Sequence, residues 1–381
     1  MAAKRKIVIV GSAWPLRGGL AAYNERLARA YQDRGDEVVI YTFSLQYPGF
    51  LFPGKTQYSS DPKPSDLNIY VKVNSINPLN WLRVGNEIKK QKPDLVIIKF
   101  WIPFMAPCLG TIARIIRRNK KSRIISIIDN IIPHENRPGD RMFGNYWVKS
   151  VDGFIAMSKS VLTDLETFDT KRPKLFCPHP LYDNFGAIIP KSEARKKLKL
   201  EAIGKYILFF GFIRDYKGLD LLLKAMAVEK IRNTGIKLIV AGEFYTDAKP
   251  YHEIIAQHTL DDSVVLATDF IPDNEVGTYF CASDIVVQPY KDATQSGVTQ
   301  IAYHFNKPMI TTDVGGLAEI VPDDKVGYVV NPKVDEIADA ICRFYEKQKE
   351  AAFIEGVKEE KSKYTWENML QTIDKLTDQQ S

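Results

Sequence analysis

Cysteine is scarce in this chain, four residues in 381, and no two of them form a Cys-x-x-Cys pair. Cys108, Cys177, Cys281 and Cys342 lie far apart in apolar surroundings. That excludes a disulfide scaffold and a zinc ribbon, and leaves buried thiols in a reducing compartment. No Asp-x-Asp occurs, and no His/Cys cluster has metal-ligand spacing, so a site without a metal is expected. No Gly-x-Gly-x-x-Gly follows the first strand pattern. A nicotinamide dehydrogenase is therefore disfavoured. No apolar run reaches the ~18 residues of a membrane span. The basic start MAAKRKIVIVG passes too soon into a strand pattern to be a signal peptide, so a cytoplasmic protein is expected. The formal charge is only +6. This suits an anionic ligand or a membrane surface but falls short of a nucleic-acid binder, and no aromatic–basic RNA motif is found.

What the chain does have is alternation. Its 381 residues exceed what one core organises, so two domains are expected. Branched-aliphatic runs at Ile7–Val10, Val38–Thr42, Asn68–Val73, Leu95–Phe100, Ile124–Ile128 and Phe154–Met157 alternate with helical spacing such as Leu20–Gln32. The pattern restarts at Ile207–Phe210 and continues through Lys237–Ala241, Val264–Ala267, Ile285–Gln288, Met309–Thr312 and Gly327–Val330, with a helix over Leu219–Val228. The fold class is α/β, two Rossmann-like halves with parallel sheets. Gly11 and Gly18 have the same spacing as Gly211 and Gly218, each pair standing between a strand and a helix. The boundary falls in 177–191, rich in proline and followed by the basic helix Lys191–Lys199. The domains are thus 1–183 and 184–363.

One stretch concentrates the chemistry: IVVQPYKDATQSGVTQIAYHFNKPMITTDVGGLAEIV, residues 285–321. Twice within it a strand runs through a small polar loop into a helix start, a device that aims backbone N–H groups and the positive dipole end at an anion. From Pro289 through Lys307-Pro308 to Gly315, Gly316 and Glu319 the stretch resembles, without a gap, the donor-sugar segment of retaining GT-B glycosyltransferases of family 4. The two glutamates of that family's E-x7-E are replaced by Ala293 and Ile301. The resemblance implies two Rossmann-like domains facing across a cleft, with residues 364–381 crossing back as a helix onto the first. It implies a nucleotide-sugar donor as substrate and no cofactor. The acceptor would be a hydroxyl of a glycan or lipid-linked glycan, glycosylated with retention of configuration. Polar side chains left to meet the sugar and ribose are Gln295, Ser296, Thr299 and Gln300, beside Gly297.

Residues 210–218 resemble the family's G-R-x-x-x-x-K-G loop, in which cations hold the donor diphosphate. Gly211, Lys217 and Gly218 match; Phe212 stands at the arginine position, and Arg214 is the substitute. Cations suit a leaving nucleoside diphosphate because negative charge grows on it as the bond breaks. Gly18 and Gly19 before the first helix would cover the donor phosphates, although a plain tight turn explains a lone Gly-Gly equally well. After the fifth strand Asp129 takes the place of the histidine that relatives carry near the sugar, with His134 a few residues on; both are candidate catalytic residues. Phe270 and Ile271 occupy the positions that bind the nucleobase in relatives, and Glu319 matches G-G-x-x-E, its bland reading being a first-turn carboxylate on a helix dipole. His179 and His304 read as structural. The basic segments Arg114–Lys121 and Arg195–Lys199 read as solvated helix faces, the commoner case, or as a patch for peripheral contact with the cytoplasmic face of a membrane. The rival to an enzyme is a non-catalytic GT-B-fold carbohydrate-binding or partner subunit.

Overall fold

Valine and isoleucine crowd both faces of a strand, and a strand buried on both faces belongs in a parallel sheet covered by helices on each side. The structure, a computed structural model, describes residues 4–49, 56–59, 61–133, 138–169, 171–181, 183, 185–293 and 296–378. Among them the aliphatic runs form the strands β1 (Lys6–Val10), β2 (Glu37–Leu45), β3 (Ile69–Asn74), β4 (Leu95–Phe100), β5 (Arg123–Ile128) and β6 (Gly153–Ala156). A seventh, β7 (Lys174–Phe176), has no signature in the sequence. It is three residues long and only half-buried, and it is a strand because β6 offers it an edge to pair with. The second set is β8 (Lys205–Phe210), β9 (Ile236–Ala241), β10 (Val264–Ala267), β11 (Ile285–Gln288), β12 (Met309–Thr312) and β13 (Gly327–Val330).

The chain divides into two compact units, residues 1–180 with 365–381, and residues 181–364. Each holds one parallel sheet, ordered β3-β2-β1-β4-β5-β6-β7 in the first and β10-β9-β8-β11-β12-β13 in the second. In both, the strand order reverses beside the unit's first strand, between β1 and β4 and between β8 and β11. Crossover connections leave these two strands in opposite directions, which opens a crevice at their carboxyl ends, the usual ligand position of doubly wound sheets. Gly11 and Gly211 stand there equivalently, Gly11 N donating to Tyr41 O at 3.1 Å and Gly211 N to Ala241 O at 2.9 Å.

The closing helix, Trp366–Asp378, packs in the first unit against the helix Gly19–Asp33. The Trp366 ring lies 5.1 Å from that of Tyr23, and Arg34 grips Glu367 at 2.8 Å and Asp374 at 2.7 Å. In the second unit the expected helix over 219–228 is shorter, Leu219–Met226, because Val228 turns extended and starts a separate turn, Glu229–Arg232. Arg195 is not part of a solvated basic face: it is buried, donating to Asp284 Oδ1 at 2.8 Å and to Ala282 O at 3.0 Å. Among the described residues no helix is long and apolar enough to cross a membrane.

Candidate functional site

The crevice between β8 and β11 is shaped by glycine. Gly218 has φ +68°, and a Cβ there would lie 2.0 Å from Pro289 O, so no other residue fits against the chain leaving β11. Just before it the single turn Asp215–Lys217 closes through Lys217 N to Arg214 O at 2.9 Å and Gly218 N to Asp215 O at 3.1 Å. That turn folds Lys217 back over β8. Its Nζ lies 3.0 Å from where a Cβ on Gly211 would stand, and 5.7 Å from the centre of the Tyr290 ring.

Lys217 is only 9% exposed, yet among the described residues its ammonium makes no ion pair or hydrogen bond. Burial first, and then the charge of Arg214, pushes its pKa from 10.5 down to about 7. Two carboxylates close to it in sequence are used elsewhere: Asp215 accepts from Tyr251 Oη at 3.2 Å, and Asp220 pairs with Lys291 at 2.7 Å. Arg214 likewise has no carboxylate among the described residues, and its guanidinium carbon lies 5.2 Å from the Tyr245 ring centre. Two cations held together with no anion among the described residues could receive one, since desolvation otherwise makes such an arrangement costly.

The helix Gly297–His304 starts beside them. Val298 Cγ2 lies 3.5 Å from the same point over Gly211, so the first turn of the helix faces the Lys217 ammonium. Ser296 precedes the helix in extended conformation without capping it through its side chain, and its Oγ lies 3.3 Å from Tyr290 Oη. The first-turn N–H groups therefore have no side-chain cap from Ser296. Thr299 donates to Gln288 Oε1 at 3.0 Å, tying the helix to the end of β11. Gln300 is 0% exposed, and neither its Oε1 nor its Nε2 has a hydrogen-bond partner among the described residues. An orphaned buried amide is rare enough to need a reason, and a ligand is one.

At the positions of the missing glutamates, Ala293 packs with Tyr290 and Leu317, and Ile301 is buried. These two positions carry packing. Gly316 N donates to Ala293 O at 3.2 Å, joining the Gly315-Gly316 loop to the loop after β11. Glu319 is exposed on the four-residue helix Leu317–Ile320. Lys307, part of the matching Lys-Pro step, serves the fold, donating to Ser283 O at 2.8 Å just after the helix Asp273–Ala282. Phe270 and Ile271 are half-buried on the segment after β10, on the far side of β9 from Gly211.

The remaining candidates belong to the first unit. Gly18, with φ +95°, precedes the helix that Gly19 begins. Asp129 accepts from Lys99 Nζ at 2.8 Å, and both are buried. The Lys99 ammonium also lies 3.6 Å from the Tyr23 ring centre. Burial lowers the Lys99 pKa against the opposing pull of Asp129. His179, stacked edge-on to Tyr23 at 5.0 Å, is held neutral by burial and by Lys99, its pKa pushed down to about 3. Lys99 is missed by sequence reading, although a lysine inside the apolar run LVIIKF is a signal for it. Gln295 and His134 lie outside the described residues. The second unit thus brings together Gly211, Arg214, Lys217 and the first turn of Gly297–His304.

Both units match known protein families. Residues 17–176 match the family model described as Glycosyltransferase Family 4, and residues 204–347 the model described as Glycosyl transferases group 1. Together they cover most of both units, and the chain belongs to this family of GT-B glycosyltransferases. It is 26% identical over 211 residues to lipopolysaccharide 1,2-N-acetylglucosaminetransferase of Salmonella typhimurium, covering 53% of this chain and 54% of that one. It is 22% identical over 256 residues to D-inositol 3-phosphate glycosyltransferase of Corynebacterium urealyticum, covering 64% and 60%. The matches thus span little more than half the length of these relatives. Among solved structures, sucrose-phosphate synthase from Thermosynechococcus elongatus superposes with a TM-score of 0.76 at 17% identity, covering 98% of this chain and 99% of that one. The Anabaena protein HepE in complex with UDP-glucose superposes with a TM-score of 0.73 at 17% identity, covering 98% and 100%. These likenesses show the fold.

Proposed function

We propose that this protein transfers a sugar from a nucleotide-sugar donor to a hydroxyl of a glycan or lipid-linked glycan, with retention of configuration and without a metal, in the building of a cell-surface polysaccharide. The observation that carries the reading is the buried Lys217 ammonium, with no carboxylate partner among the described residues, beside the second cation Arg214. The pair would hold the donor diphosphate and stabilise the charge that develops on it as the glycosidic bond breaks. The first turn of Gly297–His304 would add N–H groups. A departing phosphate oxygen on the same face of the sugar would take the acceptor proton, so no strong base is required. Nucleotide sugars bound by related folds, such as UDP-glucose on HepE, support a donor of this class.

The test is a thermal-shift screen of nucleotide sugars. A ligand at 100 times its dissociation constant adds about 2.7 kcal/mol, seen as a raised melting temperature. Turnover of the best donor is expected to persist in excess EDTA; loss of activity restored by Mg²⁺ or Mn²⁺ would remove the metal-free mechanism. A non-catalytic carbohydrate-binding subunit is the second reading, favoured by the apolar packing of Ala293 and Ile301. It would bind donor without the slow donor hydrolysis an enzyme shows in the absence of acceptor.

Gln300 is assigned to the donor's ribose or sugar hydroxyls, because a carboxamide can both donate and accept and its two polar atoms lack partners among the described residues. Gln300→Ala is expected to raise the donor KM roughly tenfold, the ~1–1.5 kcal/mol of one neutral hydrogen bond. An unchanged KM in a variant that melts higher would mark the amide as a buried defect instead of a ligand contact.

A further inference from the structure

Beyond the ends of β8 and β9 the chain continues as a short second pairing. Ile213 N donates to Glu243 O at 2.8 Å, Tyr245 N donates to Ile213 O at 2.9 Å, and Ile213 bridges Phe244 in parallel. Ile213 is fully buried in the core of the second unit, so its neighbours Phe212 and Arg214 are turned to the other side, where they meet Tyr245. The Phe212 and Tyr245 rings are stacked with centres 4.2 Å apart and planes 30° apart, and the Arg214 guanidinium lies 5.2 Å from the centre of Tyr245.

We propose that Tyr245, braced by Phe212, is a positioning residue that seats Arg214 as the second cation of the diphosphate site. The proposal rests on reading that site as one for a diphosphate. A carboxylate would hold an arginine more tightly but would neutralise the charge that the phosphate needs. An aromatic face fixes the guanidinium plane by cation–π attraction while leaving its charge and its N–H edges for bidentate contact with phosphate oxygens. A seat of this kind explains why an arginine with no carboxylate among the described residues stays beside Lys217 in spite of their mutual repulsion.

The experiment is a double-variant cycle read by calorimetric binding. The probes are UDP, GDP, ADP and inorganic pyrophosphate, and melting temperature is followed in parallel. Arg214→Leu and Tyr245→Leu are each expected to weaken the best-binding nucleoside diphosphate, Tyr245→Leu by about fivefold, the size of a cation–π contact. The double variant should be no weaker than Arg214→Leu alone, and pyrophosphate should lose in step with the nucleotide. Tyr245→Phe, which keeps the ring, should stay within twofold of the wild type. Additive losses, or a Tyr245→Leu protein that binds like the wild type, overturn the seat. A loss on nucleotides with pyrophosphate unaffected also overturns it, and assigns the ring to the nucleobase. Should Tyr245→Leu not fold, Phe212→Leu takes its place in the same cycle. Wild-type protein that binds none of the four probes overturns the diphosphate reading, and the seat with it.

Discussion

Lys217→Met raises the melting temperature of the ligand-free protein and abolishes its response to nucleotide sugars: this is the expected result of removing the buried charge proposed to hold the diphosphate. An ammonium whose pKa falls from 10.5 to about 7 is held at a cost to the fold. A tenfold change in proton affinity corresponds to about 1.4 kcal/mol, so relief on the order of a few kcal/mol is expected at pH 7 and below. The sign follows from proton counting. Between pH 7 and 10.5 the unfolded chain keeps a proton on Lys217 that the folded chain has lost, so wild-type stability gains from this group as pH rises through that window. The methionine variant lacks that contribution. Donor affinity runs the opposite way, because the diphosphate binds the ammonium and not the amine. Affinity should be flat below pH 7 and fall about tenfold for each pH unit above it, until the raised pKa of the complex is reached. Calorimetry in two buffers of different ionisation enthalpy would show a proton taken up on binding at pH 8. A Lys217→Met protein that binds donor normally, or binding without proton uptake, would refute the phosphate site.

Asp129→Ala is expected to lose about 3–5 kcal/mol of stability, because the Lys99 ammonium, 2.8 Å away, is left charged in a buried pocket beside Tyr23 and the neutral His179. At ~2–4 °C per kcal/mol for a unit of this size, the melting temperature falls by roughly 10 °C. Lys99→Met with Asp129→Leu removes both charges and should recover most of that loss, since a buried ion pair is often replaceable by apolar residues of like volume. Turnover measured on the same proteins separates the two roles open to Asp129. If it braces the carboxyl ends of β4 and β5, activity follows melting temperature and returns in the double variant. Activity lost at an unchanged melting temperature, and not recovered, would return Asp129 to the chemistry for which its position in the chain recommended it.

Periodicity made most of the fold legible. Four-residue runs such as Ile285–Gln288 and Met309–Thr312 are the observed strands themselves, because a short buried run of mostly β-branched residues suits a strand with both faces covered. β7 escaped because a three-residue edge strand takes its hydrogen bonds from β6 and nothing from its own pattern. Glycine placement was legible for the same local reason: Gly211 and Gly218 both hold positive φ at the crevice. Lys217 was placed beside them by the resemblance of residues 210–218 to the family's G-R-x-x-x-x-K-G loop.

What the side chains do there depended on partners far off in sequence. The charge on Arg195 looked like part of a solvated face until the crossover to β11 brought Asp284 to it. Asp129 looked available until β4 placed Lys99 against it. Tyr245 carried no motif and stands beside Arg214 only because β9 runs parallel to β8. Strand, turn and glycine positions follow from steric rules acting over a few residues, which one chain displays by itself. Whether a buried ammonium has a counter-ion, or a buried amide a partner, is set by which crossovers return to the same strand ends, and that was decided only when the sheet closed around Lys217 and Gln300.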